Sequence, residues 1–382
     1  MTSSRLERIP GFSIDLVANA AGTDPDVLRL ENLDTDLPPP PEAIEATRLA
    51  LEDDDANSYL PFTGRDELRA AAAAHVSRLS GVDYDPTRCV ITAGGTEAML
   101  NALLALTDPG DEVILTDPTY AGMIQRVRLA GAVPKLVRLV PEGREWRLDL
   151  DALRRTASDR TRALFLMNPS MPSGAVLGAA EWAAVAELCR ERDLWLLYNA
   201  AMERILYDGR PYTHPAALDG MAERTVTIGS VSKEYRMIGW RVGWVVGTRT
   251  AIEPVARAGI YNVVTPVGIA QPAALAALAE PASRLAGAVA EWQRRRDVIA
   301  GELADYEVIP AAGGWSMLLD VGALGLDGST ASSRLLERGR IAATPMTHWG
   351  EVNGDRFVRL VFSNEPVERL EGIGERVAAA LG

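Results

Sequence analysis

From Cys89 to Val246 the sequence alternates short apolar runs with longer amphipathic stretches, and this alternation limits the possible folds more than any other feature. Cys89-Val90-Ile91-Thr92, Glu112-Val113-Ile114-Leu115, Pro134-Lys135-Leu136-Val137, Leu164-Phe165-Leu166-Met167, Leu194-Trp195-Leu196-Leu197 and Arg224 to Gly229 have the length and apolar content of buried strands, and Val242 to Val246 reads as the next. Helical stretches lie between most of them, which is the pattern of an α/β domain with a mostly parallel sheet sandwiched by helices. The C-terminal stretch alternates again and is expected to form a smaller α/β domain. Residues 1–45 show little regular pattern beyond a short strand at Leu28–Leu33 and a stiff extended connector at Pro38–Pro41.

A chain of 382 residues is long enough for two such domains. Its net charge of −13 argues against nucleic acid and anionic membrane surfaces as partners. No apolar run approaches membrane-spanning length, and Met1–Ile9 lacks the apolar core of a signal peptide, so a cytoplasmic protein is expected. Cys89 and Cys189 lie far apart in apolar contexts and read as buried free thiols. His75, His214 and His348 are scattered without a second ligand at metal spacing, so no metal site is expected.

Ser230-Val231-Ser232-Lys233-Glu234-Tyr235-Arg236-Met237-Ile238-Gly239-Trp240-Arg241 runs between two predicted core strands. A lysine on such a loop is costly unless it is paired or used, and one whose charge is suppressed forms a Schiff base with an aldehyde. Two hydroxyls and the forked Arg241 nearby make a phosphate site. An aldehyde together with a phosphate suggests pyridoxal phosphate. Ala93-Gly94-Gly95-Thr96 joins a strand to a helix and offers backbone N–H groups to an anion. Its spacing is not that of a dinucleotide fingerprint. In Arg356-Phe357-Val358-Arg359-Leu360-Val361, strand alternation puts Arg359 on an apolar face with Phe357 and Val361, where a guanidinium needs a carboxylate.

In this order the motifs resemble those of the class I and II aminotransferases, fold-type I enzymes that use pyridoxal 5′-phosphate, and the resemblance covers the chain from about residue 28 to its end. It implies an N-terminal arm (1–45) that joins the small domain, a large cofactor-binding domain (46–275) and a small C-terminal domain (276–382). It implies that Lys233 carries the cofactor as a Schiff base and then acts as general base at the substrate α-carbon. Gly95, Thr96, Ser230, Ser232 and Arg241 are implied to hold the phosphate. The segment Asn57-Ser58-Tyr59-Leu60-Pro61-Phe62-Thr63-Gly64 implies that Tyr59 reaches the phosphate in a neighbouring subunit, hence a homodimer with shared sites. Tyr120, two residues after Pro118, is implied to stack on the cofactor ring. Arg359 is implied to bind the substrate carboxylate in a fork, and Asn168 also to contact the substrate.

Three positions depart from the family pattern around the same ring. Asn168-Pro169-Ser170-Met171-Pro172-Ser173-Gly174 has Met171 where relatives carry an asparagine, and Asn199-Ala200-Ala201-Met202 has Met202 in place of a tyrosine and Asn199 in place of an aspartate. Methionine is a poor hydrogen-bond partner, so the cofactor's phenolic oxygen loses two donors and the imine proton is expected to be held more tightly. An uncharged Asn199 favours a neutral pyridine and weakens the electron sink. Asn199 is either tuned to chemistry that needs less carbanion delocalisation or an engineered change that slows turnover; the sequence leaves both open. The expected activity is transamination of an α-amino acid. The altered ring contacts leave a lyase, cyclase or racemase on the same fold as the alternative. A non-catalytic regulator is disfavoured because Lys233 and Arg359 are both kept.

Overall fold

The chain is described by a computed structural model that covers residues 4–7, 9–11 and 13–382. Among the described residues, thirteen strands fall into two sheets. The larger sheet contains β2 (Cys89–Thr92), β3 (Glu112–Asp117), β4 (Val133–Glu142), β5 (Glu145–Leu148), β6 (Thr161–Met167), β7 (Trp195–Asn199), β8 (Thr225–Ser230) and β9 (Gly243–Val246), in the order β2-β9-β8-β7-β6-β3-β4-β5. Strands β4, β3, β6, β7 and β8 pair in parallel, β9 is antiparallel to both β8 and β2, and β5 returns from β4 as a hairpin. The central strands β3, β6 and β8 are buried except at Arg162 near the start of β6, as a sheet covered by helices on both faces requires.

The smaller sheet has the order β1-β12-β13-β11-β10, from β1 (Leu28–Leu30), β10 (Val308–Ile309), β11 (Ser316–Asp320), β12 (Ile341–Pro345) and β13 (Phe357–Val361). Its N-terminal strand β1 pairs in parallel with β12, which ties the beginning of the chain to the C-terminal sheet. Arg359 lies in the central strand β13, opposite Leu318 on one side and Thr344 on the other.

The expectation of little regular structure before residue 45 is corrected by a nine-residue helix, Ser13–Ala21. Its apolar positions Ile14, Val17 and Ala21 are spaced to form one narrow stripe. Val17 and Ala21 pack with Val27, Leu336 and Ala342, while Ile14 reaches the main core. A helix this short is marginal alone, so the contacts with β12 hold it.

This topology brings several chain segments to one crevice. β3, β6, β7 and β8 run the same way, and their carboxyl ends lie beside the turn from β2 into the helix Gly94–Leu106. Open α/β sheets bind ligands at such strand ends. Among the described residues no helix is long and apolar enough to cross a membrane.

Candidate active site

A cavity of about 290 Å³ opens at these strand ends, close to the lower end of the ~300–1,000 Å³ common for small-molecule sites. Its wall includes Gly95, Thr96, Tyr120, Met171, Asn199, Ser230, Ser232, Lys233, Arg241 and Arg359, so ten of the positions singled out in the sequence converge on one space.

One end suits an anion. The helix Gly94–Leu106 begins there and presents its unpaired N–H groups. Ser230 packs against Gly95, and a Cβ on Gly95 would lie 3.7 Å from that of Ser230. Arg241 lies against Gly94, and a Cβ there would come within 2.5 Å of the Arg241 guanidinium. Gly243 leaves the backbones of Gly94 and Gly95 room, since its own Cβ would approach them to 2.6 and 2.7 Å. Only residues without a side chain permit this approach. Arg241 donates to Ile238 O at 2.9 Å and has no ion-pair partner among the described residues.

Lys233 occupies the middle of the cavity. Its Nζ donates to the backbone oxygen of Leu33 at 2.7 Å and lies 4.9 Å from the centre of the Trp315 ring. Burial pushes its pKa down to about 7; Asp34 partly opposes this, and Arg359 and Arg241 add to it. The amine is therefore substantially uncharged near neutral pH, the form that attacks carbonyls and accepts protons.

Across the cavity Arg359 is fully buried. It donates to the backbone oxygen of Glu31, to Thr344 Oγ1 at 3.2 Å and, weakly, to Met171 Sδ at 3.8 Å. The Trp349 ring lies 4.8 Å from the guanidinium carbon. No carboxylate of the described residues pairs with it, because the nearby Glu31 carboxylate is bound by Arg29 at 2.6 Å, and Arg359 Nε has no partner. Burial lowers its pKa to about 9, which leaves it charged at neutral pH. A buried, unpaired cation is costly until an anion arrives, so the position is built for a carboxylate.

Tyr120 follows β3 and caps the helix Ala121–Leu129. Asp117 fixes this corner by accepting from the N–H groups of Glu351, Val352 and Asn353 at 3.0, 2.9 and 3.3 Å. The tie brings Trp349 to 5.8 Å from the Tyr120 ring. Asn199 ends β7, and its Oδ1 accepts from Ala201 N at 3.2 Å.

Three singled-out residues are not brought to this wall. Asn168 Oδ1 accepts from Leu177 N at 2.8 Å, so its side chain is tied to the chain that follows β6 and does not line the cavity. Met202 is buried in the core while Ala201 lines the cavity, so replacing the family's tyrosine leaves that part of the wall without a hydroxyl. Tyr59 is 83% exposed on the outer surface. The sequence reading missed Ile14, Asp15, Asn32 and Leu33 of the N-terminal arm, and Met99. Of these, Leu33 acts through its backbone oxygen, which side-chain type cannot reveal. Trp349 covers Arg359, and its Nε1 donates to Ser13 Oγ at 3.3 Å, joining the N-terminal helix to the site.

With this geometry in place, a model of the family described as aminotransferase class I and II matches residues 25–377. The chain belongs to this family. It is 37% identical over 89% of its length to a probable N-succinyldiaminopimelate aminotransferase of Mycobacterium tuberculosis, covering 90% of that protein. It is 34% identical over 81% of its length to an arginine–pyruvate transaminase of Pseudomonas aeruginosa, covering 79% of it. The solved N-succinyldiaminopimelate aminotransferase of M. tuberculosis superimposes over 100% of both chains with a TM-score of 0.93 at 34% identity. The chain is thus an aminotransferase of fold-type I, an enzyme that transfers amino groups.

Proposed function

We propose that this aminotransferase acts on α-amino acids with pyridoxal 5′-phosphate held in the cavity around Lys233. The observation that carries the proposal is the pairing, in one cavity, of an amine kept near neutrality with a buried guanidinium that lacks a carboxylate. The donor set fits this cofactor. Arg241, Ser230 and the N–H groups of Gly95 and Thr96 would hold its phosphate, with Ser232 beside them, while Tyr120 would cover the ring and Asn199 would face its nitrogen.

When bound, the cofactor supplies an aldehyde that accepts the amino group and a ring that accepts electrons. The chain does the rest. Arg359 holds the substrate carboxylate by two parallel N–H donors and so fixes the α-carbon relative to Lys233. Lys233 Nζ, uncharged near neutral pH and steadied by Leu33 O, takes the proton from that carbon. Trp349, Met171 and the N-terminal helix exclude water around Arg359 and strengthen its grip on the carboxylate.

The rest of the wall bears on the side chain of the substrate. Asp15 is the only carboxylate lining the cavity among the described residues, and its neighbours Ile14, Leu33 and Met171 are apolar. This supports an aliphatic side chain with a cationic end over a second carboxylate, in keeping with a relative that is an arginine–pyruvate transaminase. We also infer a homodimer. Tyr59 and Phe62 lie beside an exposed apolar segment that includes Tyr261, Val263, Val264 and Val267, with Gly268 packed closely on Ala56. A contiguous apolar face of this kind marks an interface.

The cofactor reading is tested by loading the chain with pyridoxal phosphate, reducing it with borohydride and mapping the labelled peptide. The label is expected on Lys233 alone, and label on Lys135, the one other lysine of the sequence, or no label at all would contradict the proposal.

A further inference from the structure

We propose that Asn199 is a hydrogen-bond donor to the cofactor's ring nitrogen and holds that nitrogen unprotonated. The inference rests on the cofactor reading above and goes beyond it, because the residue type alone is ambiguous. An asparagine oxygen would accept from a protonated ring nitrogen, whereas its NH₂ would donate to an unprotonated one. What decides between them is which end of the amide faces the cavity.

The backbone just after β7 decides it. Ala201 N–H points back at residue 199 and donates to Oδ1 at 3.2 Å. Exchanging the amide oxygen and nitrogen would set two donors against each other at a residue only 5% exposed, so the orientation is fixed by a backbone group that does not move. Nδ2 is left toward the cavity, where its recorded contact is Met99 Sδ at 3.5 Å, a weak acceptor. The amide thus carries an underused donor.

The surrounding charges agree with this. Among the described residues, the charged side chains lining the cavity are Asp15, Lys233, Arg241 and Arg359, and a further positive charge on the ring would meet three potential cations. The one carboxylate, Asp15, is an exposed residue of the N-terminal helix. Met99, Met167 and Ala201 add no titratable group near Asn199. An aspartate at 199 would accept the same Ala201 N–H with one oxygen and turn a charged acceptor to the ring with the other. The substitution Asn199→Asp therefore reverses the polarity of the contact with little change of shape.

The test is the ¹⁵N resonance of cofactor labelled at the ring nitrogen and bound to the holoenzyme. The wild type is expected at the position of a hydrogen-bonded, unprotonated pyridine, unchanged over the pH range in which the fold is intact. Asn199→Asp is expected to move the resonance far upfield to the pyridinium position. Asn199→Ala, which removes the donor, is expected to move it downfield. A pyridinium resonance in the wild type overturns the proposal without needing any variant to fold, and so does an Asn199→Ala spectrum identical to the wild type. A chain that takes up no cofactor overturns the cofactor reading itself, a failure told apart from the others by the missing cofactor absorbance.

Discussion

Lys233 and Arg359 are both cations that the fold removes from water, and they resolve the cost differently. Lysine loses its proton readily when desolvated, and Lys233 is held at about 7 against an ordinary value of 10.5. Arginine keeps its charge, so Arg359 waits for an anion. Below pH 7 the amine of Lys233 is protonated and does not attack an aldehyde. The rate of cofactor uptake by the free chain is therefore expected to rise with a midpoint near pH 7 and level off above it, as stopped-flow absorbance would show. A midpoint near 10 would mean that Lys233 is an ordinary surface-like amine. Both residues were legible in the sequence, Lys233 from its place on a loop between core strands and Arg359 from strand alternation. Asn168 and Met202, also singled out by pattern, do not line the cavity. One side chain turns to satisfy Leu177 N–H and the other is taken into the core, and neither choice leaves a trace in residue type.

At the scale of elements, the loop between β8 and β9 is held from behind by a buried polar cluster. Arg204 pairs with Glu234, the residue after Lys233, at 2.7 Å, and donates to Tyr235 Oη at 3.2 Å. Glu203 receives the hydroxyl of Tyr212 and lies within 4.0 Å of both His75 and His214. Burial first, and the neighbouring Glu234 second, push Glu203 up to about 8, so it is neutral in the folded chain at pH 7. Both histidines are also buried neutral, their pKa values pushed down to about 3 by burial. A carboxyl raised on folding stabilises the fold fully below its unfolded value of 4.5, and that contribution fades as pH rises toward 8. Glu203→Gln mimics the neutral form and still accepts from Tyr212. Its melting temperature is expected to fall less than the wild type's between pH 5 and 8, and equal slopes in calorimetry would contradict this role. The regular strands were legible from their apolar runs. The helix Ser13–Ala21 was not, because its three-residue stripe is too short to signal a helix without β12 to pack on.

At the scale of the whole molecule, the cavity exists because two sheets and the N-terminal arm meet. The large sheet supplies the anion end and Lys233, the small sheet supplies Arg359, and the arm supplies Leu33 O and the helix beside Trp349. The exposed apolar segment around Tyr261, itself 88% exposed, is assigned to the partner subunit. In the proposed homodimer, Tyr261→Asp with Val267→Asp is expected to halve the mass seen by sedimentation and to reduce activity, because the proposed reach of Tyr59 into a second site is lost. A double variant that stays dimeric would place the interface elsewhere. The central claim is amino transfer at Lys233 with the carboxylate on Arg359. It is tested most directly by a single-turnover reaction of the loaded enzyme with arginine, norleucine and aspartate, no keto acid being added. The account predicts conversion of the cofactor from its aldehyde to its amine form with one keto acid released per site, fastest for arginine and slowest for aspartate. Product that accumulates over many turnovers while the cofactor keeps its aldehyde form, or no reaction with any of the three, would contradict it.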